Sequence, residues 1–278
     1  MTKHSHSISF TKMQGAGNDF VVLDNRSQML SKKEIIELAP EICDRKFGVG
    51  SDGIMALLPP EKEKANYTMF YRNADGSDAG MCGNGARCIA LFADSLGFDS
   101  HHYFNVHNQL YEAEVRDSKH VCISFPMETV AHELTVDKQK LYAIHTGTEH
   151  IVTTVCEELL DDEKHLREEG RLLRHHSKFQ PKGTNVNFIC GIDESTLKLQ
   201  TYERGVEDLT LACGTGAIAS ALIWHHIQEN KPEQNKFTVK TKGGKLTVYF
   251  DYDASDQYFT NIKLEGPAHF VFKGTYEL

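Results

Sequence analysis

Short apolar runs, many of them alternating with polar residues and bounded by Gly, Asn or Asp, recur along most of the chain. Such runs predict β-strands. Helical periodicity is less frequent, and it predicts four helices: Lys32–Cys43, the segment after Cys82, Asp161–His176 and the segment after Cys213. The predicted strands are 7–13, 19–24, 53–58, 67–73, 120–126, 150–155, 185–191, 197–203, 237–242, 245–250 and 269–274. This pattern predicts a strand-rich α+β protein.

An internal repeat appears when the chain is shifted against itself by 131 positions, the separation of Cys82 and Cys213. Residues 71–91 then align with residues 202–222 without a gap, and seven of the 21 positions are identical. Four of the identities fall in a shared CGxGA, which begins at Cys82 in one copy and at Cys213 in the other. Self-similarity of this kind indicates a duplicated structural unit.

Each CGxGA precedes a helix that is apolar around almost its whole circumference, Ala86–Phe92 in the first copy and Ala217–Trp224 in the second. Such helices are buried. Two pseudo-symmetric domains, each with strands wrapped around a central helix, would satisfy the pattern. The polar stretch that follows Pro126 is the predicted boundary between them.

The start of a helix suits a reactive thiol. Its first backbone N–H groups lack intrahelical partners, and the helix dipole places partial positive charge there. Glycines have no Cβ atom, so those of the two motifs let a carboxylate approach the amides closely. The same surroundings stabilise a thiolate and lower its pKa from about 8.5. We therefore expect Cys82 and Cys213 to be the reactive cysteines.

Two equivalent thiols are suited to inverting a carbon centre. One group must remove a proton from one face while another delivers a proton to the opposite face. Helix amides can hold the substrate carboxylate and stabilise the enolate-like charge of the transition state. The repeat thus predicts an amino-acid epimerase. Two alternatives stay open: a redox or acyl-transfer enzyme with one nucleophilic cysteine, and a binding module in which the repeat only clamps a carboxylate.

Charge and hydropathy narrow the class of partner. The 278 residues carry a formal net charge of −9, which argues against a general nucleic-acid binder and favours a small-molecule substrate. No stretch approaches the roughly 18 apolar residues of a membrane span, and the start, MTKHSHSISF, lacks the apolar core of a signal peptide. We expect a cytoplasmic protein that does not insert into membranes.

The seven cysteines are scattered, odd in number and free of CxxC spacing, so free thiols in a reducing compartment are expected. The five cysteines outside the repeat are predicted to be small buried residues. Histidine pairs at 101–102, 175–176 and 225–226, together with the N-terminal HSHS, raise the possibility of a metal site. No acidic or thiol partner falls at ligand spacing, so no metal is predicted.

Six segments resemble the diaminopimelate epimerases. They are FTKMQGAGNDFVVLDNR (10–26), DRKFGVGSDGI (44–54), YRNADGSDAGMCGNGARC (71–88), GTNVNF (183–188), YERGVEDLTLACGTGA (202–217) and GPAHFVFKG (266–274). The resemblance implies a cofactor-independent enzyme that interconverts LL- and meso-diaminopimelate in lysine and peptidoglycan biosynthesis. It also implies two domains with barrel-like sheets, 1–126 plus 267–278 and 127–266, with the active site in the cleft between them.

The resemblance assigns roles to individual residues. Cys82 and Cys213 match the acid/base thiols, and His150 and Glu203 match positions thought to tune them. The expected substrate-binding residues are Asn18, Asn73, Gly83, Asn84, Asn185, Glu203, Arg204, Gly214 and Thr215, with Thr148 as a further candidate. Arg204 is suited to a bidentate hold on the distal carboxylate. The sequence leaves open which cysteine acts on which stereoisomer, and whether the chain is a homodimer.

This chain departs from the family pattern in two places. Where many members have Gly-Asn-Pro-His it has Gly147-Thr148-Glu149-His150, and the loop from Glu203 to Cys213 is one residue longer than in many members. Threonine lacks the donor–acceptor pair of an amide, and Glu149 adds negative charge. The main rival is a proline-type racemase or hydroxyproline epimerase with the same two-cysteine mechanism. In those enzymes the first motif usually has histidine at the position of Asn84, which favours diaminopimelate.

Overall fold

The computed structural model describes residues 7–229 and 235–278. The chain divides into two compact units, which are described separately below. Unit 1 comprises residues 1–123 and 267–278, and unit 2 comprises residues 124–266. Of the predicted segments, His4 and His6 of the N-terminal HSHS lie outside the described residues.

The described residues of unit 1 form two helices, α1 and α2, and more of them lie in strands than in helices. Its helices are α1 (Lys32–Ile42) and α2 (Gly83–Ser95). Its strands are β1 (Ser7–Gly15), β2 (Asn18–Asp24), β3 (Gly53–Leu58), β4 (Tyr67–Asn73), β5 (His101–Val106), β6 (Gln109–Val115), β7 (His120–Ser124) and β18 (His269–Glu277).

The described residues of unit 2 form three helices, α3 (Glu157–Asp161), α4 (Glu163–Arg174) and α5 (Gly214–Ile227), and a 3-10 turn (Ser177–Phe179). Its strands are β8 (Thr129–Val130), β9 (His132–Val136), β10 (Gln139–His145), β11 (Glu149–Thr154), β12 (Asn185–Gly191), β13 (Thr196–Glu203), β14 (Asp208–Thr210), β15 (Lys236–Thr241), β16 (Gly244–Asp253) and β17 (Tyr258–Pro267).

The two units share one topology. In unit 1, β1 pairs antiparallel with β18 and β2, β2 pairs parallel with β3, β3 antiparallel with β4, β4 parallel with β5, and β5 antiparallel with β6. In unit 2, β10 pairs antiparallel with β9 and β11, β11 parallel with β12, β12 antiparallel with β13, β13 parallel with β15, and β15 antiparallel with β16. Parallel neighbours need a crossover connection, which helices supply at equivalent places in both units. The sequence repeat therefore corresponds to a repeat of the fold.

The outer helices pack against their sheets through apolar faces. Helix α1 begins at Ser31, whose hydroxyl accepts from the Glu34 amide while the Glu34 carboxylate accepts from the Ser31 amide, a capping box. Its apolar residues join those of β1, β2, β3 and β4 in one buried cluster. In unit 2, α3 and α4 form an equivalent cluster with β10, β11, β12 and β13.

The central helices α2 and α5 are buried, as their composition predicts. All of residues 83–93 in α2 are buried. They include Arg87, which is 0% exposed and therefore needs hydrogen-bond partners inside unit 1. Residues 217–223 of α5 are likewise buried. Each CGxGA consequently lies at the start of a helix in the core of its unit.

All eleven predicted strand segments are confirmed as strands, with small differences at their ends. Seven strands were not predicted: β5, β6, β8, β9, β10, β14 and β17. Several of these have one polar, exposed face, such as β5 (HHYFNV), and this weakens the apolar signal. The helix predicted over Asp161–His176 is confirmed as α4, which begins where the Asp162 carboxylate accepts from the His165 amide. The short helix α3, which ends just before it, was not predicted.

Candidate active site

Cys82 is the N-cap of α2. Its backbone is extended, with φ −114° and ψ 117°, and its Sγ accepts from the Gly85 amide at 3.4 Å. The Sγ also lies 3.7 Å from Oδ1 of Asn18, the first residue of β2. Cys82 is half-buried. The structure therefore brings together a thiol, a helix N-terminus and one predicted substrate-binding asparagine.

A charged cluster holds Asn18 in place. The Asn18 Nδ2 donates to the Asp52 carboxylate at 2.5 Å, and Arg45 bridges Asp52 and Asp19 at 2.7 and 2.8 Å. The Lys12 ammonium lies 2.7 Å from Asp19. Burial raises the pKa of Asp19, but hydrogen bonds from Arg45 and Lys12 outweigh it and leave the pKa at about 2. Asp19 thus stays ionised, and the hydrogen bond to Asp52 fixes which end of the Asn18 amide faces Cys82.

The other predicted residues of unit 1 lie on α2 or at the end of β4. Asn84 is 3% exposed, and its Oδ1 accepts from Arg87 at 2.7 Å. Arg87 also donates to the Gly83 and Pro267 carbonyls, so the guanidinium holds the first turn of α2. Burial lowers the pKa of Arg87. Asn73 is half-buried at the end of β4 and donates to the Ser77 hydroxyl at 3.0 Å.

Cys213 repeats the geometry of Cys82 at the start of α5. Its backbone has φ −109° and ψ 116°, and its Sγ accepts from the Gly216 amide at 3.3 Å. Cys213 is buried, with 6% of its surface exposed. Its Sγ also lies 3.6 Å from the Thr215 hydroxyl. Both thiols therefore receive a backbone N–H from the third residue beyond them, as an N-cap does.

A side-chain network extends from Cys213 into the core of unit 2. The Thr215 hydroxyl lies 3.0 Å from Nε2 of His150, and Nδ1 of His150 lies 3.0 Å from Nδ2 of Asn187. His150 is 1% exposed and Asn187 is 0% exposed. Burial, and to a smaller extent the charges of His145 and Arg204, lower the pKa of His150 to about 3. His150 is consequently a neutral imidazole near pH 7.

The predicted residues Thr148 and Asn185 both contact Arg204, which is half-buried and follows the end of β13. Its Nη2 donates to the Thr148 hydroxyl at 2.9 Å, and its backbone amide donates to Oδ1 of Asn185 at 2.9 Å. The Asn185 Nδ2 donates to the Glu149 carbonyl at 3.0 Å. Thr148 therefore orients the guanidinium of Arg204, a role that its hydroxyl fills without an amide. Glu203 lies beside Arg204 as the half-buried last residue of β13, and Gly214 is buried in the first turn of α5.

The remaining cysteines differ from one another. All seven are free thiols; Cys43, Cys88 and Cys122 are buried as predicted, whereas Cys156 is exposed and Cys190 is half-buried. The prediction that all five are buried is therefore wrong for two of them, which lie where unit 2 meets solvent. Burial raises the pKa of Cys88 to about 12, so this thiol stays protonated.

Within residues 7–229 and 235–278, no group of three or more His, Cys, Asp or Glu side chains is arranged to hold a metal ion. No helix in the same ranges is long and apolar enough to cross a membrane.

Sequence reasoning missed three residues of these sites: Asn187, Asp52 and Arg87. A signal for Asn187 exists, because the two-residue period of a strand places it on the same face as Asn185 in NVNFICG. Arg87 is the single charge in Ala86–Phe92, the helical segment predicted to be buried, and a buried charge needs partners. Asp52 gives no such signal, since its contact with Asn18 depends on how β2 pairs with β3.

The two equivalent glycines Gly85 and Gly216 should respond differently to alanine. A Cβ at Gly216 would lie 2.6 Å from Oδ1 of Asn187, whereas one at Gly85 would lie 3.0 Å from the flexible Met55 side chain. We expect Gly216→Ala to lower the free energy of unfolding by about 1–3 kcal/mol. We expect Gly85→Ala to cost less, because Met55 can shift. Urea unfolding of both variants tests this, and an equal or reversed order would contradict it.

Buried neutral His150 should make the protein less stable in acid. Its folded pKa of about 3 lies below the value of about 6.5 for an unfolded histidine, so the unfolded chain binds one more proton between these pH values. The free energy of unfolding should fall as pH drops through this window, by up to about 1.4 kcal/mol per pH unit from His150. Burial also lowers the pKa of His102, which adds to the slope.

Urea unfolding at pH 7, 6 and 5 checks this expectation. His150→Gln should flatten the dependence of unfolding free energy on pH, because glutamine does not titrate. His132→Gln, at an exposed position on β9, is the matched control and should leave the slope unchanged. A His150→Gln variant with the wild-type slope would show that His150 is not held neutral.

Comparison with known proteins shows which family combines these features. The family model described as diaminopimelate epimerase matches residues 10–132 and 142–271. Diaminopimelate epimerase of Flavobacterium psychrophilum is 36% identical over 95% of this chain and 98% of its own length. Those of Aquifex aeolicus and Chlorobaculum tepidum are also 36% identical, over 96% of this chain and 97% and 100% of their own lengths.

Solved structures support the fold. A phenazine biosynthesis protein of the PhzF family from Bacillus anthracis matches with a TM-score of 0.73 and 13% identity, over 98% of this chain and 100% of that chain. A hydroxyproline epimerase from Agrobacterium vitis matches with a TM-score of 0.70 and 14% identity, over 100% and 94%. The predicted fold class is thereby confirmed. Because the family model covers most of the chain and the relatives match over almost their full length, the resemblance inferred from the sequence is confirmed, and the chain belongs to the diaminopimelate epimerase family.

Proposed function

We propose that this chain interconverts LL-2,6-diaminopimelate and meso-diaminopimelate by two-base proton transfer at the α-carbon, in lysine and peptidoglycan biosynthesis. One observation carries the proposal: Cys82 and Cys213 occupy equivalent positions of a duplicated unit and cap buried helices with nearly the same geometry. One thiol acts as thiolate and removes the α-proton, and the other acts as thiol and delivers a proton to the opposite face.

Both thiols are proposed to act on the same substrate carbon. Two bases can invert a carbon centre only from opposite faces, so each unit is proposed to supply one of the two bases. The reacting carboxylate binds the amides of the two helix starts, at Gly83–Asn84 and Gly214–Thr215. These amides stabilise the enolate-like charge as the α-proton leaves, so the chain needs no cofactor as an electron sink.

Selectivity for diaminopimelate is assigned to the far end of the substrate. Arg204 is proposed to bind the distal carboxylate, since its guanidinium is oriented by the Thr148 hydroxyl and otherwise donates to the neutral Lys182 carbonyl. Asn18, Asn73 and Asn185 supply amide groups for the ammonium and carboxylate groups. Glu203, next to Arg204, is proposed to act with His150 on the thiols. The Thr148 contact accounts for the departure from the family's asparagine at this position.

The proposed reaction also indicates where the enzyme works. Two catalytic thiols among seven free cysteines require a reducing compartment, so we place the enzyme in the cytoplasm. A net charge of −9 fits a small-molecule substrate rather than nucleic acid. The proposed mechanism does not require a second copy of the chain. A homodimer therefore stays a prediction, which light scattering can test by measuring the molar mass in solution.

Deuterium incorporation tests the proposed function. Purified protein is incubated with LL-diaminopimelate in deuterated water under reductant, and the products are resolved by chiral chromatography and mass spectrometry. Deuterium should enter at one α-carbon as the meso isomer appears. Proline and hydroxyproline are the control substrates, and no deuterium exchange is expected with either. Exchange with proline but not with diaminopimelate would assign the chain to the racemase alternative.

A further inference from the structure

The hydrogen bonds that link Asn187, His150, Thr215 and Cys213 can be assigned donors and acceptors. The orientation of the Asn187 amide can be assigned first. Its Nδ2 lies 2.9 Å from the carbonyl oxygen of Ile151, which can only accept, and its Oδ1 lies 2.9 Å from the hydroxyl of Thr201. Rotating the amide by 180° would set two oxygens against each other. The nitrogen of Asn187 therefore faces both Ile151 and His150, and its second hydrogen is directed at Nδ1 of His150.

This donor determines the tautomer of His150. A ring nitrogen that accepts a hydrogen bond carries no proton, so neutral His150 has its proton on Nε2. That N–H points at the hydroxyl oxygen of Thr215, 3.0 Å away. Because the Thr215 oxygen accepts from His150, its own hydrogen is available to Cys213, whose Sγ lies 3.6 Å away. The hydrogen bonds from Asn187 to His150 and from His150 to Thr215 therefore both run toward the sulfur, and they leave the Thr215 hydrogen free to continue the series to Cys213.

The charged groups around His150 reinforce the neutral form. His145 lies on the neighbouring strand β10 and Arg204 follows β13, and both disfavour a second proton on His150. Glu149, next to His150 on β11, has its carboxylate 3.4 Å from the His145 ring. Glu203 is the last residue of β13 and precedes Arg204 in the chain. Both ring nitrogens of His150 are engaged by Asn187 and Thr215, so His150 has no lone pair directed toward the thiol.

The Cys82 thiol faces a hydrogen-bond acceptor rather than a donor. The Asn18 Nδ2 faces the Asp52 carboxylate, so an oxygen, Oδ1, faces the Cys82 sulfur. An oxygen acceptor favours an S–H group over a thiolate. The positive charge of buried Arg87, one turn along α2, acts on Cys82 in the other direction. Thr215 thus offers Cys213 a hydrogen-bond donor, whereas Asn18 offers Cys82 an acceptor.

We propose that Asn187 is a positioning residue for the epimerase: it holds His150 as a neutral Nε2–H imidazole, so that Thr215 donates a hydrogen bond to the Cys213 thiolate. In this arrangement His150 is a hydrogen-bond donor and not the acceptor of the thiol proton. The inference rests on the proposed function for the role of Cys213, and it makes Cys213 the base and Cys82 the acid in the free enzyme.

The tautomer can be measured without substrate. In protein with ¹⁵N-labelled histidine, long-range ¹H–¹⁵N correlation spectra distinguish the two neutral tautomers from imidazolium, and His150→Gln identifies the His150 signals. We expect the Nε2–H pattern from pH 8 to pH 5. In Asn187→Leu, which removes the donor at similar volume, the Nδ1–H tautomer should appear. An imidazolium or an Nδ1–H pattern in the wild type would overturn the proposal.

The protonation state of the Cys213 thiol is measured in a separate experiment. The rate of Cys213 alkylation by iodoacetamide, followed by peptide mass spectrometry across pH 5–9, reports its thiolate fraction. Thr215→Val should lower the rate at pH 7 about fivefold, the value of one lost hydrogen bond, and Thr215→Ser should restore it. Asn187→Leu should lower it in the same direction. Asn105→Leu, a buried asparagine of β5 that contacts Thr68, is the matched control and should leave Cys213 unchanged.

His150→Gln separates the two roles of His150. Glutamine can donate to Thr215 but cannot take a proton at neutral pH, so Cys213 should keep most of its reactivity, whereas His150→Leu should lose it. Equal loss in both variants would mean that His150 works as a base and would overturn the proposal. A wild type in which the pH profile of alkylation gives Cys82 the lower thiol pKa would do the same. These readouts do not use diaminopimelate, so a failure of the proposed function appears separately, as absent deuterium exchange.

Discussion

Cys82→Ser and Cys213→Ser are each expected to lower kcat for epimerisation by at least roughly 10³-fold, because a serine hydroxyl is neither a base nor a usable acid near pH 7 and a positioned acid or base contributes about 10²–10⁴-fold. Folding should be retained, since serine is also a favourable N-cap residue and can accept from the amides of Gly85 and Gly216. The measurement is the initial rate of conversion in each direction, with thermal unfolding as the test of fold.

The two serine variants should also be non-additive. A two-base reaction fails when either base is missing, so the double variant should be no slower than the slower single variant. Cys88→Ala, on the same helix as Cys82, and Cys156→Ser, at the N-cap of α3, are the matched controls and should retain activity. A single variant, Cys82→Ser or Cys213→Ser, that kept a tenth of wild-type turnover would contradict the two-base proposal.

The sequence alone predicts the parts of the fold that depend on local pattern. The repeat of CGxGA, followed each time by an apolar helix, predicted two buried helices capped by Cys82 and Cys213, and the structure has both. Local pattern is sufficient there because N-cap geometry involves only a few consecutive residues. Strands such as β5 were missed because their exposed faces are polar, and their pairing with distant strands stabilises them.

The candidate sites depend on register, which no local pattern encodes. His150 and Asn187 are 37 positions apart and meet because β11 pairs parallel with β12, with His150 opposite Asn185 and Val152 opposite Asn187. The contact between Thr148 and Arg204 likewise joins a turn to the end of β13. The resemblance named most of these residues. The structure adds how they hold one another, through Asn187 at one site and Thr148 at the other.

Arg204→Met is expected to raise KM for LL-diaminopimelate by about 10²-fold, which is about 2.7 kcal/mol of lost substrate binding. The guanidinium has no carboxylate partner in residues 7–229 and 235–278; its hydrogen bonds go to the Thr148 hydroxyl and the Lys182 carbonyl. It is therefore available to an anionic substrate group. Arg204→Lys should recover only part of the loss, because an ammonium cannot form the bidentate contact.

Variants at Thr148 and Arg167 show whether this effect is specific. Thr148→Val removes the partner that orients Arg204 and should raise KM about fivefold, as expected for one hydrogen bond. Thr148→Asn, the residue of many family members, should keep KM near the wild-type value. Arg167→Met, at an arginine of the same unit paired with Glu163 and Asp208, is the control and should leave KM unchanged. If Arg204→Met lowered kcat while KM stayed constant, Arg204 would act on the proton transfer itself, and the distal carboxylate would need another partner.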